Sequence, residues 1–380
     1  MANQFVFYGK IMPIKATEKF TPIDRKSFQS GWTNTTCKFN VISDTNRIMC
    51  MTQGGKWIEN SKNVIKTIGQ KVEGSNKRET VTIPWDKRFD QEQIDKVVGF
   101  RHYVVDLEDR NARKNLRNLV KAFEDEKVTD KMIAESGYNT LEEAKEALDK
   151  ANKRRHVFLS AYDFAEYMAK VVVSEKIKDK IFRISGTQEI QYANGRFYTN
   201  YVVNRVELMP NAEPDTNMLV DFYFGDECVS ENEGVGYLNG WSSYYDSGLK
   251  RNGFYPVSIA IRNERDIKLA KKKFVIGESE IANVGLSVSI IDGAERVEIT
   301  MDDLDDDTKE EIEAGWVTFE EVVRAMGGNK IGDRMTELRF AGLNARKNKV
   351  EDTTYGVDDM IPAMANADTD AVTDEEDEEL

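Results

Sequence analysis

Six residues in one stretch have the types and spacing to hold an anion and a flat ring together: Arg183, Tyr192, Arg196, Phe197, Tyr201 and Arg205. Guanidinium groups bind phosphate oxygens through paired hydrogen bonds. Aromatic rings offer base faces a surface to stack on, worth roughly 1–3 kcal/mol per base. A second group lies early in the chain, where Trp32 and Trp57 bracket Lys38 and Arg47. Rings interleaved with cations along β-rich runs suit a single polynucleotide strand lying on a sheet. Covered by another element, the same side chains would be ordinary core and ion pairs.

The first group lies on two long β-rich runs either side of Asn194-Gly195, a strong short-range hairpin signal. A two-residue turn would set Ile184 against Arg205 and Phe182 against Glu207, mixing core and surface on one face. A three-residue loop, Ala193-Asn194-Gly195 with Gly195 left-handed, sorts the pairs. It predicts one face of Phe182, Ile184, Ile190, Tyr198, Val202, Val206 and Leu208. The opposite face then carries Arg183, Thr187, Phe197, Tyr201, Val203 and Arg205. In that register Arg183 faces Arg205, a like-charge pair that calls for an anion between them.

The second group belongs to a hairpin over residues 34–52, with Cys37, Phe39 and Val41 inward and a turn from Ser43 to Asn46. Residues 4–14 read as a first strand. Residues 153–159 read as another, followed by an amphipathic helix from Asp163 to Val173 with Phe164, Met168 and Val171 inward. Past a linker at 211–216, Met218, Val220, Phe222 and Phe224 alternate as a strand. A hairpin follows over residues 240–261, turning near Asn252-Gly253. Its Asn252-Gly253-Phe254-Tyr255 echoes Asn194-Gly195-Arg196-Phe197-Tyr198 and suggests a second related barrel.

Between these β regions, residues 53–152 change character. A helix near 109–124 sets an apolar stripe (Ala112, Leu116, Leu119, Val120, Phe123) beside a basic one (Arg110, Arg113, Lys114, Arg117, Lys121). The basic ridge is a candidate phosphate contact. Capping boxes open helices at Thr140 with Glu143 and at Thr318 with Glu321. Gly327-Gly328 stops the latter helix.

Composition narrows the classes. A chain of 380 residues holds two or three domains, and 40% hydrophobic with 32% charged residues is globular. No apolar run reaches the ~20 residues of a membrane span, so no membrane partner is expected. The opening residues read as a strand, not a signal peptide. Cys37, Cys50 and Cys228 read as reduced thiols of a cytoplasmic protein. With only His102 and His156 and no CxxC pair, no metal site is expected. The run Asp302 to Asp307 lacks the glycine of a calcium loop and is better read as a helix start. Phosphate-loop, dinucleotide and nucleophile-elbow motifs are missing, so no catalytic residue, cofactor or enzyme activity is expected. The net charge of −14 comes from one place: residues 351–380 hold 12 of the 67 acidic side chains and no Lys or Arg. The body is near neutral and has room for local basic patches.

A strand, an amphipathic helix and a long basic-aromatic hairpin form the second half of an OB-fold, a partly open barrel that binds oligonucleotides. Val157 to Met168, Ile181 to Gly186 and Phe197 to Leu208 resemble the bacterial and bacteriophage single-stranded DNA-binding proteins, as does the acidic run from Asp374 to Leu380. Gly186 matches a glycine in the first arm of that family's hairpin. The likeness covers residues 1–52, 153–209 and the tail. Three departures stand out: Met360-Ile361-Pro362 lies inside the tail instead of forming an apolar tip, the insertion splits the barrel, and the chain is about twice the family's usual length, which points towards a bacteriophage version.

The residue patterns, with a resemblance that leaves 53–152 and 216–345 unexplained, predict a β-rich α+β protein. An OB-fold domain over 1–215 carries the insertion at 53–152, and a second β-rich, OB-like module follows over 216–300. A helical segment over 301–345 then precedes a disordered acidic tail over 346–380. The resemblance implies sequence-independent coating of single-stranded DNA in replication, recombination or repair, in the cytoplasm, which for a phage protein is the host's. Trp32, Trp57, Tyr192, Phe197 and Tyr201 would stack; Lys38, Arg47, Arg183, Arg196 and Arg205 would meet phosphates. The tail would compete with DNA and recruit replication or recombination proteins. A homo-oligomer stays open. The rival readings are a virion component using β modules for protein contacts, and a recombination mediator or RNA-binding protein.

Overall fold

The computed structural model describes residues 3–360 apart from positions 73, 76, 194, 247–249, 279, 346, 348, 349, 353 and 354. Alternating patterns set the first strands: β1 (Gln4–Pro13), β2 (Ile23–Ser27), β3 (Trp32–Ser43) and β4 (Asn46–Trp57). The segment after β4 adds a hairpin, β5 (Val64–Lys71) with β6 (Arg78–Pro84), then α1 (Gln91–Lys96), β7 (Tyr103–Asp106) and α2 (Arg110–Glu124). It continues through α3 (Asp130–Ser136), α4 (Leu141–Lys153) and β8 (Arg155–Phe158). The chain then enters α5 (Ala161–Val171) and the long pair β9 (Ile181–Ala193) and β10 (Arg196–Leu208). Five more elements follow: β11 (Asp215–Phe224), β12 (Val229–Asn232), β13 (Val235–Asp246), β14 (Arg251–Ile261) and α6 (Glu264–Lys273). The last are β15 (Ala282–Glu298), α7 (Asp306–Glu313), α8 (Phe319–Ala325), β16 (Asn329–Leu343) and β17 (Glu351–Asp352).

The pairings close two five-stranded rings. In the first, β1 pairs β3, β3 pairs β4, β4 pairs β10 in parallel, β10 pairs β9, and β9 returns to β1. In the second, β11, β13, β14, β16 and β15 repeat that order, again with a parallel contact between third and fifth strands. A helix lies between the third and fourth strands of each, α5 in one and α6 in the other. A short extra strand flanks the second strand of each, β2 on β3 and β12 on β13. The rings join through their first strands, which pair antiparallel with Phe5 opposite Met218. Antiparallel pairing of equivalent strands relates the rings by a local two-fold axis. One core runs through both, from Phe7, Phe39, Phe164 and Phe182 to Phe222, Leu238 and Ile259.

Each ring carries one long insertion, residues 58–160 between β4 and α5, and residues 299–328 between β15 and β16. Both expected capping boxes form, and Gly327 and Gly328 stop α8 with φ of 90° and 86°. Residues 329–343, expected to be helical, instead form β16 and close the second ring. Arg334, Glu337 and Arg339 put dense charge on this strand, but Leu338 and Phe340 pack against the core and the charges pair outside it. The expected turn at Asn252-Gly253 is also displaced: both residues lie within β14, opposite Tyr245 and Tyr244. The repeat therefore lies in strand order, and the Asn-Gly echo does not mark equivalent positions. Most of the acidic tail lies outside the described residues. Its described part is ordered, with β17 against β15 and a turn at Val357–Met360.

Candidate nucleic-acid interface

The β9–β10 ladder runs out to Ala193 opposite Arg196, and Gly195 is left-handed with a φ of 75°. Asn194 lies outside the described residues. A bulge between Val203 and Arg205 then shifts the register by one. This bulge, not a three-residue loop, sets Ile184 against Val206 and Phe182 against Leu208. A Cβ on Gly186 would overlap the Val202 carbonyl, so glycine is what admits the bulged strand there. The consequence is a correction: Arg183 faces Glu207, not Arg205.

That register redistributes the six hairpin candidates. Arg183 bonds Glu207 at 2.9 Å, and Arg205 reaches the same carboxylate at 3.5 Å and the Gly99 carbonyl at 3.1 Å. Both guanidiniums are thus committed to this chain's own groups. Tyr201 points inward, its ring edge-on to Phe5 and Phe7 with centroids 5.5 Å apart, and burial raises its phenol pKa. Phe197 packs on Tyr192 at 5.1 Å and on Tyr244 and Tyr255 of the second ring at about 6 Å. The predicted open face of Phe197, Tyr201, Arg183 and Arg205 does not exist as one surface. Arg196 is exposed at the hairpin end, and Tyr198, expected inward, is 48% exposed.

The four residues of the β3–β4 hairpin do share a face. Cross-strand pairs put Trp32 opposite Trp57, Asn34 opposite Gly55, Thr36 opposite Gln53 and Lys38 opposite Met51. Arg47 lies on the same side near the turn, opposite Ile42. Their inward neighbours Cys37, Phe39, Ile48 and Cys50 are core, so this row must point out. The two indoles meet edge to face, centroids 5.2 Å apart. A Cβ on Gly55 would overlap the Trp32 indole, so the bare glycine lets that ring lie across β4. Asn63 fixes the Trp57 backbone, accepting from its N–H and donating to its carbonyl, both at 2.8 Å.

Phe28, Trp32 and Trp57 line a cleft of about 830 Å³ that extends to Val202 and Glu189. Phe28 is 50% exposed in the loop before β3, where no periodicity could mark it in the sequence. Lys38 holds its ammonium 5.4 Å from the Phe20 ring centroid, and Arg47 lies beside the Asn40 amide. Neither cation is ion-paired among the described residues. From Trp57 to Arg47 the row spans eleven residues of β4, ~33 Å of extended strand. Glu189 is the discordant wall group: desolvation raises its carboxyl above the ordinary value.

The insertion contributes further ring and cation groups. Phe100 is 61% exposed, with guanidiniums of Arg78 and Arg101 at 5.6 and 5.8 Å from its centroid. The basic ridge of α2 is narrower than expected, because Arg113 is buried against Asp106. Arg110, Lys114, Arg117 and Lys121 remain exposed. Among the described residues, no group of three or more His, Cys, Asp or Glu is placed to hold a metal ion, and no helix is long and apolar enough to cross a membrane. No protein-family model matches the chain, and a search of curated proteins finds no relative.

Proposed function

We propose that this chain binds single-stranded DNA without sequence preference, on an OB-fold barrel formed by β1, β3, β4, β9 and β10. Its role would be to coat exposed strands during replication or recombination. The observation that carries the reading is the outward row Trp32, Trp57, Lys38 and Arg47, with Phe28 at its end. In OB barrels the face of the second and third strands and the loops beside it take oligonucleotides. Here β3 and β4 hold those places in the ring order, and the parallel third-to-fifth contact fits the same fold. Rings supply stacking that tolerates any base, and unpaired cations supply phosphate contacts. Arg183, Arg205 and Tyr201 have no part in this version of the site; their chemistry is used inside the chain. The acidic tail adds a local competitor for the cationic face and a tether for partner proteins.

The test is fluorescence anisotropy with single- and double-stranded oligonucleotides over a salt series. The reading expects preference for the single strand, with affinity falling steeply as salt rises. A virion component would ignore oligo-dT at every salt concentration. A protein that favours RNA of the same length would move the reading to RNA binding.

A further inference from the structure

The second ring presents the same kind of face, and the segment Tyr355–Met360 of the same chain lies on it. On β13 and β14 the inward residues Leu238, Tyr244, Val257 and Ile259 join the shared core. The outward side carries Trp241 opposite Pro256 and Phe254 opposite Ser243, with Tyr223 of β11 opposite Trp241. Register fixes the correspondence with the first ring. Trp241 pairs near the end of the first strand of its ring, as Asn40 does with Met12 near the end of β1. Phe254 then takes the place of Arg47 on the equivalent third strand.

Phe254 points away from the shared core yet is only 3% exposed. It is covered by Ile281, Met360 and Tyr355. The Tyr355 ring stands edge-on to Phe254 at 5.0 Å and to Tyr223 at 5.9 Å, and Met360 is 2% exposed. Between them Asp358 and Asp359 form a turn in which the Gly356 N–H donates to the Asp359 carboxylate at 2.8 Å. The covering peptide is thus a ring followed by anions, and eight more acidic residues follow it in the sequence. A nucleotide presents the same pairing of flat ring and negative charge. Lys250 and Arg251 are exposed at the turn end of this hairpin, and Tyr245 beside them is 65% exposed.

We propose that the outward face of the second ring is a second single-strand site, built on Trp241, Phe254 and Tyr223 and closed by the Tyr355–Met360 segment. In the intact chain the segment keeps this face closed against a DNA strand held on the first ring, and its release lets a strand long enough to cross between the rings occupy both faces. The inference rests on the proposed function of the first face and adds a second, gated one. Joining the two faces on one strand tightens binding through effective concentration, without any new contact at the first.

The experiment compares the full chain, a chain lacking residues 355–380, and the full chain carrying Tyr355→Ala with Met360→Ala. Circular dichroism first establishes that each is folded; the double substitution decides the question if the truncated chain is not. Short and long oligo-dT are titrated against each by anisotropy and tryptophan quenching. Opening the face should raise the nucleotides occluded per chain about twofold. It should tighten long oligo-dT by about tenfold or more while short oligo-dT changes little. Adding Trp241→Ala to either opened chain should abolish that gain. The proposal is overturned if the opened chains keep the original site size, or if the gain survives Trp241→Ala. If no form binds oligo-dT at low salt, the proposed function itself has failed, a different result from an unchanged site size.

Discussion

Asn3 and Tyr255 meet across the seam between the rings, the Asn3 amide donating to the Tyr255 hydroxyl at 3.0 Å. The same nitrogen lies 2.8 Å from the Gln188 side-chain oxygen and 3.0 Å from the Ser242 hydroxyl, so three acceptors share its two hydrogens, and the Asn3 oxygen accepts from the Asp221 N–H at 3.1 Å. All of the side chains involved are buried, and burial pushes the Tyr255 phenol up to about 12. The network ties the residue before β1 to β9, β11, β13 and β14, and so helps set how one ring sits on the other. Removing Asn3 strands several buried partners at once. Asn3→Ala should cost about 2–4 kcal/mol in chemical denaturation, and Tyr255→Phe, which strands fewer, about 1–3 kcal/mol. A loss below half a kcal/mol for both would mean the seam is held by the β1–β11 pairing and core packing without this network.

Asp106 and Arg113 make the corresponding bolt in the insertion. Both side chains are about 95% buried, Arg113 donates to both carboxylate oxygens, and the Glu108 N–H also donates to Asp106. Asp106→Ala leaves a buried guanidinium without its anion. The expected cost is about 3–5 kcal/mol, read as an early unfolding step of the insertion. Asp106→Asn should recover part of it. Equal melting of both variants and the parent would remove the pair from any structural role.

These two bolts mark what sequence could and could not convey. The β3–β4 hairpin was legible because Cys37, Phe39 and Val41 alternate cleanly around a short turn, and its four site residues fell on one face as a result. The β9–β10 face was not, because a bulge at Asn204 changes the parity of every residue beyond it. Phe197 and Tyr198 thereby exchange sides, and Arg183 gains Glu207 as a partner. A one-residue slip has no local signature when both faces contain rings and charges. In β16 the outward charges outweighed the inward Leu338 and Phe340, so a closing strand resembled a helix. Arg113 looked like part of a solvated ridge because its partner, Asp106, belongs to a different element.

On the proposed face, Trp32 and Trp57 carry the stacking, and Arg47 carries charge. Trp32→Ala and Trp57→Ala should each weaken oligo-dT binding by about 1–3 kcal/mol with little change in salt slope. Arg47→Ala should weaken it less and lower the slope of log K against log salt by about one. Arg183→Ala and Arg205→Ala should alter stability before they alter that slope, since Glu207 already holds both side chains. A reduced salt slope in Arg183→Ala without loss of stability would return the hairpin to the site.

Glu189 gives the face a pH dependence whose sign follows from its environment. It lies opposite Asn200 on β10 and lines the cleft, and desolvation raises its pKa above the ordinary value. A carboxyl raised in the folded state favours its protonated form there. The stability this contributes is complete below the unfolded pKa and is lost as pH rises through the raised one. A phosphate backbone brought alongside raises the group further, so binding takes up a proton and affinity increases as pH falls through that range. His102 and His156, both lowered by burial, also titrate on the acid side of neutrality, which makes substitution of Glu189 the decisive control. Glu189→Gln should tighten oligo-dT at neutral pH by about 3–10-fold, the repulsion of one partly screened charge. It should also flatten the affinity profile on the acid side, where the raised Glu189 carboxyl takes up its proton. Weaker binding by Glu189→Gln at neutral pH would show that the carboxylate receives a hydrogen bond from the strand instead of repelling it.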